Sequence, residues 1–593
     1  MSQRSRVSWY FRTATNCTLD YGRSIDTRRR YRYRDCWVIR EMEPLLQARN
    51  LTVRYGSEGV FAQPAVSGVC FEIGSGEVVG LVGESGCGKT SLALALVRLH
   101  PMQSVDVSGS VQFRGKELLT LDERSLEEIR GAKISFVSQE PGIALCPVLR
   151  VGDQIAEVLH AHNRGSWKRC RAEAESWLAR VDLHPTKRFF SAYPHQLSGG
   201  QLQRIVLAQA LACGPALLIA DEPTAALDGR NQAEFLALLR SLKEQIGLSV
   251  LLINHSPEIQ ASLADRLLVM KTGEIVEQGS FAQLYHSASH PYTRAMLRRN
   301  SPEPARESRV PQLVGGVSGV MIERSEIILC AQNLGKHYVQ RRPLTHAKFT
   351  VQAFQDVNLS IYRGTTLAIV GESGAGKSSL VRCLALLEAP TQGEIWCEGQ
   401  NALLLRKSEL FPIRRKVQLV FQDPASALNP RFTAGEIVAE PLLIQRIGTK
   451  AEQRERALGL MEQVGLPPKW ERKFPFEFSG GQRQRLAIAR ALALEPKLLI
   501  FDEVLSNLDL ANQEIILQLL NDLQRARSLT YIHVCHDLRI VSRIADEVAV
   551  MHAGRIVEQK LATELFAKPG DPYTKELFEA MPSIETIAAG RST

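Results

Sequence analysis

Long apolar runs are missing from this sequence. Across its 593 residues, no stretch approaches the roughly 18 consecutive apolar residues that a membrane-crossing helix needs. The first 41 residues also lack the apolar segment of about 7–15 residues that a secretory signal carries. We therefore expect no membrane span, and any role at a membrane is expected to be exerted through a partner.

Cysteines are few and do not occur in paired motifs. The chain has 11 cysteines but no C-x-x-C pair, and Cys87 stands inside a glycine-rich segment. This pattern argues against a disulfide framework or a cysteine-based metal site, and it is typical of a reducing cytoplasm. Hydrophobic residues make up 45% and charged residues 23% of the chain, as in ordinary soluble globular proteins.

Positive charge is concentrated at the start of the chain. Residues 1–41 hold ten arginines against four acidic residues, which accounts for most of the formal net charge of +9. The remainder gives little support to nucleic-acid binding. We expect 1–41 to be a disordered basic extension, with an arm that binds anionic lipid or RNA as the alternative. Met42 is expected to be a natural start.

Two segments, 83–90 and 371–378, match the phosphate-binding pattern G-x-x-x-x-G-K-[ST]. In this pattern, glycines let backbone N–H groups converge on phosphate oxygens at a helix N-terminus. The lysine reaches the β- and γ-phosphates, and the final hydroxyl holds Mg²⁺. The residues expected to bind ATP here are Gly83, Ser85, Gly86, Gly88, Lys89, Thr90 and Ser91, and again Gly371, Ser373, Gly374, Gly376, Lys377, Ser378 and Ser379.

Paired acids close two apolar strand-like runs, at Asp221-Glu222 and at Asp502-Glu503. Adjacent carboxylates at the end of a buried strand are costly unless they serve a cation or a proton transfer. We expect Asp221 and Asp502 to bind Mg²⁺, and Glu222 and Glu503 to orient or deprotonate the attacking water.

The whole chain is an internal repeat, because Asp221 and Asp502 stand 281 residues apart, as do several other motif residues. A chain of this length also exceeds a single core. Tyr55 and Tyr338 recur in the two copies. Each is predicted either to stack on the adenine ring of ATP or to be a half-buried strand aromatic.

The segments 197–201 and 478–482 resemble the signature motif of ABC ATPases, and the resemblance extends from about residue 45 to 580. It implies an α/β fold of two tandem P-loop NTPase domains, each with a RecA-like core, a helical signature subdomain and an antiparallel β subdomain. In this family the signature closes on the nucleotide held by the other unit. The signature residues are Ser198, Gly199, Gly200 and Gln201, and Ser479, Gly480, Gly481 and Gln482.

Further residues match the family motifs by position. Gln139 and Gln422 resemble the Q-loop glutamine, which contacts Mg²⁺ or the water and senses the membrane partner. His255 and His536 resemble the switch histidine at the γ-phosphate, and Asp228 and Asp509 resemble the D-loop aspartates that couple the sites. The resemblance thus implies catalysis by the two glutamates and two histidines.

One departure separates the two copies. The first has Pro223-Thr224 after its paired acids, as the family does, whereas the second has Val504-Leu505. Because the acids, lysine, signature serine and histidine persist in both, we expect two competent sites with coupling between them as the weaker point.

Other segments resemble the oligopeptide, dipeptide and nickel importers, a subfamily that includes fused glutathione importers. These segments are 422–431, His290-Pro291-Tyr292-Thr293 and Asp571-Pro572-Tyr573-Thr574. The resemblance implies two integral-membrane permease subunits, an extracytoplasmic solute-binding protein and no nucleic acid. It places the protein peripherally on the cytoplasmic face of the bacterial inner membrane.

The expected domains are ATPase domain 1 over 42–300, a linker over 301–325, and ATPase domain 2 over 326–593. No cysteine lies between Cys213 and Cys330, so we expect no iron–sulfur cluster there. A soluble tandem ABC protein acting on ribosomes or DNA is the alternative. Both signatures end in glutamine, and the linker is short and rich in proline and glycine, which disfavours that alternative. The cargo is left open by the sequence.

Overall fold

The fold is described from a computed structural model of the chain. The residues described are 43–57, 60–61, 63–100, 105–139, 141–225, 227, 229–254, 256–298, 327–341, 348–505, 508 and 510–579. The predicted extension 1–41 and linker 301–325 lie outside these residues.

The first half contains one six-stranded sheet and one antiparallel sheet. The six-stranded sheet has the order β11-β10-β4-β9-β8-β7 and is parallel except for its edge strand β11. The antiparallel sheet has the order β2-β1-β5-β6, with β3 also paired to β1. The strands are β1 Leu46–Ser57, β2 Val60–Phe61, β3 Val66–Ile73, β4 Val78–Val82, β5 Val105–Phe113, β6 Lys116–Glu117, β7 Ile134–Val137, β8 Leu217–Asp221, β9 Ser249–Ile253, β10 Arg266–Lys271 and β11 Glu274–Gly279.

Helices cover the parallel sheet. The helices in the chain segment that connects β7 to β8 form a separate helical layer. The helices of this half are α1 Lys89–Leu96, α2 Glu123–Glu127, α3 Pro141–Ala144, α4 Val151–Ala161, α5 Trp167–Arg180, α6 Thr186–Phe190, α7 Gly199–Leu211, α8 Gly229–Ile246, α9 Pro257–Leu263, α10 Phe281–Ser287 and α11 Pro291–Arg298.

The second half repeats the arrangement. Its parallel sheet has the order β17-β18-β19-β14-β20-β21, and its antiparallel sheet has the order β13-β12-β15-β16. The strands are β12 Ile327–Arg341, β13 Lys348–Tyr362, β14 Thr366–Val370, β15 Gln392–Cys397, β16 Gln400–Asn401, β17 Val417–Val420, β18 Leu498–Asp502, β19 Thr530–Cys535, β20 Glu547–His552 and β21 Arg555–Leu561. The helices are α12 Lys377–Leu384, α13 Lys407–Lys416, α14 Pro424–Ala427, α15 Ala434–Ile444, α16 Lys450–Gln463, α17 Gly480–Leu492, α18 Leu510–Arg527, α19 Leu538–Ile544, α20 Ala562–Ala567 and α21 Pro572–Glu579.

The central strands are apolar along their whole length because both faces of the sheet are covered. In β4, Val78 and Val82 pack into the core on the helical side, whereas Val79 and Leu81 pack into the core beneath the antiparallel sheet. This anchoring fixes the carboxyl edge of the sheet, where the loops after β4, β9, β8 and β7 lie side by side. Ligands bind at that edge in open α/β sheets.

Candidate functional site

Each phosphate-binding loop turns on a glycine that no other residue could replace. Gly88, just before α1, has φ of +104°, and Gly376, just before α12, has φ of +100°. A Cβ atom on Gly88 would lie 2.1 Å from the Ala65 carbonyl oxygen, and one on Gly376 would lie 2.3 Å from that of Ala353. The tight turn keeps backbone N–H groups at the helix start, which is the geometry that receives phosphate oxygens.

The two motif lysines are buried and aligned along their loops. Lys89 Nζ donates to the carbonyl oxygens of Gly83 at 2.8 Å and Glu84 at 2.9 Å. Lys377 Nζ donates to those of Gly371 and Glu372, both at 2.7 Å. Lys377 Nζ also lies 3.9 Å from Glu503 Oε1. A buried ammonium attracts an anion strongly, so both lysines suit a phosphate chain.

The predicted Mg²⁺ ligands lie together at the end of β8 and of β18. Ser378 Oγ donates to Asp502 Oδ1 at 3.1 Å. Burial raises the pKa of Asp221 and of Asp502; the adjacent glutamates add to the rise, while the Thr90 and Ser378 hydroxyls oppose it. A carboxylate that is costly to ionise beside a hydroxyl is a hard-oxygen site that a divalent cation would stabilise. The residues present therefore fit Mg²⁺.

The two glutamates among the catalytic candidates lie on strained backbone at equivalent positions of the two halves. Glu222 has φ of +47° and Glu503 has φ of +50°, in the left-handed region that disfavours such residues. Strain of this kind costs about 1–3 kcal/mol and is concentrated at functional sites. Here it turns each glutamate out of its strand.

The turned glutamates meet the Q-loop glutamines. Gln139 Nε2 donates to Glu222 Oε2 at 2.9 Å, and Gln422 Nε2 donates to Glu503 Oε2 at 2.7 Å. In the structure, each Q-loop glutamine therefore binds the glutamate through its amide nitrogen. The amide oxygen of the same side chain is the atom that would coordinate Mg²⁺, and its contact with the cation stays a prediction.

Only one of the two predicted histidines is described. His536 Nδ1 lies 3.8 Å from Glu503 Oε1, so that side chain belongs to the site. His255 and the D-loop residues Asp228 and Asp509 lie outside the described residues.

The signature serines cap the helices that follow them. Ser198 Oγ accepts from the Gln201 N–H at 3.4 Å, while Gln201 Oε1 accepts from the Ser198 N–H at 3.0 Å. Ser479 and Gln482 repeat both bonds at 3.3 and 3.0 Å. These capping boxes hold the start of α7 and of α17 in place.

A cavity of about 470 Å³ joins the first signature to the second phosphate loop. Ser198, Gly199, Gly200 and Gln201 line one side of the cavity, and Ser373 and Gly374 line another. Residues almost two hundred positions apart are thereby brought to one site across the two halves. For Ser479 and Lys89 the corresponding pairing stays a prediction based on the repeat.

The two strand tyrosines are tied to the helices of the phosphate loops. Tyr55 Oη donates to Ser91 Oγ at 2.9 Å, and Tyr338 Oη lies 3.4 Å from Ser379 Oγ, within hydrogen-bond distance. Tyr338 donates its proton to Glu388 Oε2 at 2.7 Å. The bonds hold each ring beside a loop residue expected to bind ATP. They fit the adenine-stacking interpretation without testing it.

The second half has Val504-Leu505 where the first has Pro223-Thr224, and a residue that contacts this position also differs between the halves. In the first half, Asn254 Nδ2 donates to Thr224 Oγ1 at 3.2 Å inside the core. The equivalent positions, 281 residues later, hold Leu505 and Cys535, which are both buried. Burial raises the pKa of the Cys535 thiol to about 12, so it remains neutral. A buried polar pair in one half is thus an apolar pair in the other.

We expect Leu505→Thr to destabilise the second half by about 1–3 kcal/mol, because its hydroxyl would be buried without the Asn254 amide that serves Thr224. The second amide on Thr224 is that of Gln232, and its counterpart Gln513 already donates to the Leu505 carbonyl oxygen. Adding Cys535→Asn should recover a large part of that loss. Thermal unfolding of both variants measures the effect, with Thr224→Leu as the reciprocal control. Additive losses in the double variant would show that the two positions are independent.

The C-terminal segment of each half contacts its own phosphate loop. Tyr292 Oη accepts from the Glu84 N–H at 3.0 Å, and Tyr573 Oη accepts from the Glu372 N–H at 3.1 Å. The tyrosines lie in the first turns of α11 and α21. Glu277 and Glu558 accept hydrogen bonds from the backbone N–H groups just before these helices and hold their starts in place. The sequence shows the recurrence of Pro-Tyr-Thr but not that it reaches the loop.

Tyr292→Phe and Tyr573→Phe should each raise the KM for ATP about fivefold with little change in kcat, because one hydrogen bond that positions the loop is lost. Steady-state ATPase assays of the full chain measure this. Tyr285→Phe is the matched control, since that ring stacks on Phe281 within the first core. An unchanged KM in both variants would rule out a positioning role.

Comparison with known proteins agrees with this geometry. A family described as "ABC transporter" matches residues 66–225 and 354–506. A second, described as "Oligopeptide/dipeptide transporter, C-terminal region", matches 276–348 and 557–591. The chain belongs to the ABC transporter family, and it is an ATPase with two ABC ATPase domains. The family and fold expected from the sequence are confirmed.

Two relatives place the chain more closely. The glutathione import ATP-binding protein GsiA of Salmonella choleraesuis is 39% identical over 91% of this chain and 89% of its own length. The peptidoglycan transport ATP-binding protein YejF of Agrobacterium fabrum is 40% identical over 92% of this chain and 98% of its own. Like them, the chain is a peptide-type importer ATPase of the fused kind. Within the described residues, no helix has the length and apolarity to cross a membrane.

Proposed function

We propose that this protein hydrolyses ATP with Mg²⁺ at two composite sites and thereby powers uptake of peptides or similar small solutes, glutathione among them. The cavity that joins Ser198 to Ser373 carries the proposal. Since a signature helix N-terminus favours anions, it completes a site whose other wall is a phosphate loop. Neither half supplies both walls.

The proposed cycle follows from the residues at the sites. Lys377, Ser378 and Asp502 hold the triphosphate and its cation, while Ser198 approaches from the other half. Glu503, held by Gln422, accepts a proton from the attacking water. ATP favours the closed arrangement, and only that difference in affinity can do work on a partner. Lys89, Glu222 and Ser479 are proposed to form the second site in the same way.

A groove beside the first Q-loop supports a membrane partner. A cavity of about 300 Å³ lies between the sheet and the helical layer, lined by Leu99, Phe136, Ser138 and Val158 among others. Leu99 in this lining is 45% exposed, and Val148, four residues along the chain from the lining residue Ala144, is 76% exposed. We propose that a short helix of a permease docks here, where movement of Ser138 would reach the neighbouring Gln139. Apolar exposure on this scale is typical of interaction sites.

We further propose, from the family resemblance of the sequence, that the chain works with two permease subunits and an extracytoplasmic solute-binding protein, on the cytoplasmic face of the bacterial inner membrane. A substitution that disables an ATP site should abolish solute uptake but leave the complex with the permeases intact. The groove proposed to bind the permease and the residues proposed to hydrolyse ATP are different surfaces.

The test uses the full chain in its own cells. Affinity capture from detergent-solubilised membranes is expected to recover two integral membrane proteins with both the unmodified chain and Lys89→Ala. Uptake of labelled glutathione and of a panel of short peptides is expected to fall in Lys89→Ala for at least one of these solutes. Recovery of ribosomes instead of membrane proteins would favour the soluble alternative and contradict the proposal.

A further inference from the structure

One arginine of the first half reaches the phosphate loop of the second. Arg230 lies in the first turn of α8, and its Nη1 lies 3.2 Å from Glu372 Oε1, inside the loop, and 3.5 Å from Glu576 Oε1 in α21. The backbone N–H of Glu372 also donates to Tyr573, in the first turn of the same helix α21. One side chain therefore contacts both the loop and the segment that holds it.

Arg230 is oriented from within its own half. Its Nε lies 3.3 Å from Glu234 Oε1, and Glu234 Oε2 lies 3.3 Å from Arg204 Nη2 on α7, the signature helix. The chain of charges therefore runs from the signature helix of the first half to the phosphate loop of the second. It crosses between the halves beside the cavity lined by Ser198 and Ser373.

The repeat cannot form this contact at the other site. The positions equivalent to Arg230 and Glu576 hold Ala511 and Ala295. Glu84, equivalent to Glu372, remains, but the guanidinium that would approach it has no counterpart. Alanines therefore stand at both positions of the Arg230–Glu576 ion pair, so the amino-acid sequence itself makes the two sites different.

We propose that Arg230 is a positioning residue that clamps the halves together at one site only. The site built on Lys377 then closes more tightly on ATP than the site built on Lys89, and the two sites are unequal. This inference rests on the proposed closure of Ser198 over the second loop. Both sites keep their catalytic groups; the inequality lies in closure.

The clamp acts on the equilibrium between open and closed arrangements because its two ends belong to different halves. Arg230 is 49% exposed and Glu372 is 26% exposed, so each pair contributes modestly and is screened by salt. A modest contribution is sufficient here, since only the difference between the two arrangements matters. We expect an inequality of about threefold at low salt, smaller at high salt.

The test locates trapped nucleotide in the full chain. Photoreactive 8-azido-ATP is trapped with Mg²⁺ and vanadate, and the linker is cut afterwards at a protease site inserted in 301–325. We expect about three times more label on the second half than on the first. Arg230→Ala should bring the ratio close to one, and Arg230→Lys should keep an intermediate value. Ala511→Arg with Ala295→Glu should also equalise the halves, by strengthening the other site.

Arg240→Ala is the matched control, because Arg240 lies on the same helix and donates to Ser262 within the first half. It removes the same charge and should leave the ratio unchanged. A ratio that Arg230→Ala does not alter, or that Arg240→Ala alters equally, would overturn the clamp. Absence of ATP turnover in the unmodified chain would instead contradict the proposed function, so the two failures are distinguishable.

Discussion

Glu222→Gln and Glu503→Gln, made separately, should each slow hydrolysis at the substituted site about a hundredfold, so that total ATP turnover falls by about half. Glutamine keeps the size of the side chain but cannot accept the proton of the attacking water. Each glutamate is held by a Q-loop amide and by left-handed backbone in the same way in both halves. The structure therefore gives no reason for either half to be catalytically silent.

The measurement is steady-state ATPase activity of the full chain, with ATP binding as the control. Binding should persist in both variants, because the lysines and hydroxyls that hold the phosphates are unchanged. If one substitution leaves turnover unchanged, equal catalytic competence is wrong and hydrolysis occurs in one half only. That outcome is distinct from the effect of the Arg230 clamp, which makes the two sites unequal in closure on ATP and leaves the hydrolysis step unchanged.

Lys377→Ala should weaken ATP binding at the second loop about a hundredfold, and Lys89→Ala should do the same at the first. Each ammonium is buried, and no other lysine contacts the carbonyl oxygens of its loop among the bonds described here. Its loss removes the charge that neutralises the phosphates. Photolabelling with 8-azido-ATP, followed by cleavage in the linker, locates the loss.

Two controls accompany the lysine variants. The thermal midpoint should change little, since removal of an ammonium from a carbonyl-lined pocket does not disturb the core. Lys416→Ala removes a half-exposed lysine that pairs with Glu398 outside the site, and ATP binding should be unaffected. Equal labelling of both halves in Lys377→Ala would contradict the assignment of that lysine.

Much of the site follows from local sequence because local physics determines it. The phosphate loops require glycine where the backbone has positive φ and where a carbonyl lies close, so Gly88 and Gly376 identify the loop without any tertiary knowledge. The continuous apolar run of β4 likewise predicts a parallel strand that is buried on both faces. These features depend on neighbours in the chain.

Other features depend on contacts between distant segments and could not be predicted in this way. The contact of Tyr573 with the loop spans about two hundred residues, and Arg230 reaches Glu372 from the other half. Asn231 lines the cavity one residue further along α8, without a motif to mark it. The replacement of Thr224 and Asn254 by Leu505 and Cys535 is a paired change because Asn254 donates to Thr224 inside the core, a contact that no local sequence pattern indicates.

The central claim is that the signature of one half completes the nucleotide site of the other. The most direct test places a photo-crosslinking residue, benzoylphenylalanine, at Ser198, where the cavity of about 470 Å³ has room for it. With ATP and Mg²⁺ in a Glu222→Gln, Glu503→Gln background, the cross-linked peptide should contain Ser373 of the second loop. A cross-link to the peptide that contains Ser85, in the first half's own loop, would contradict the account.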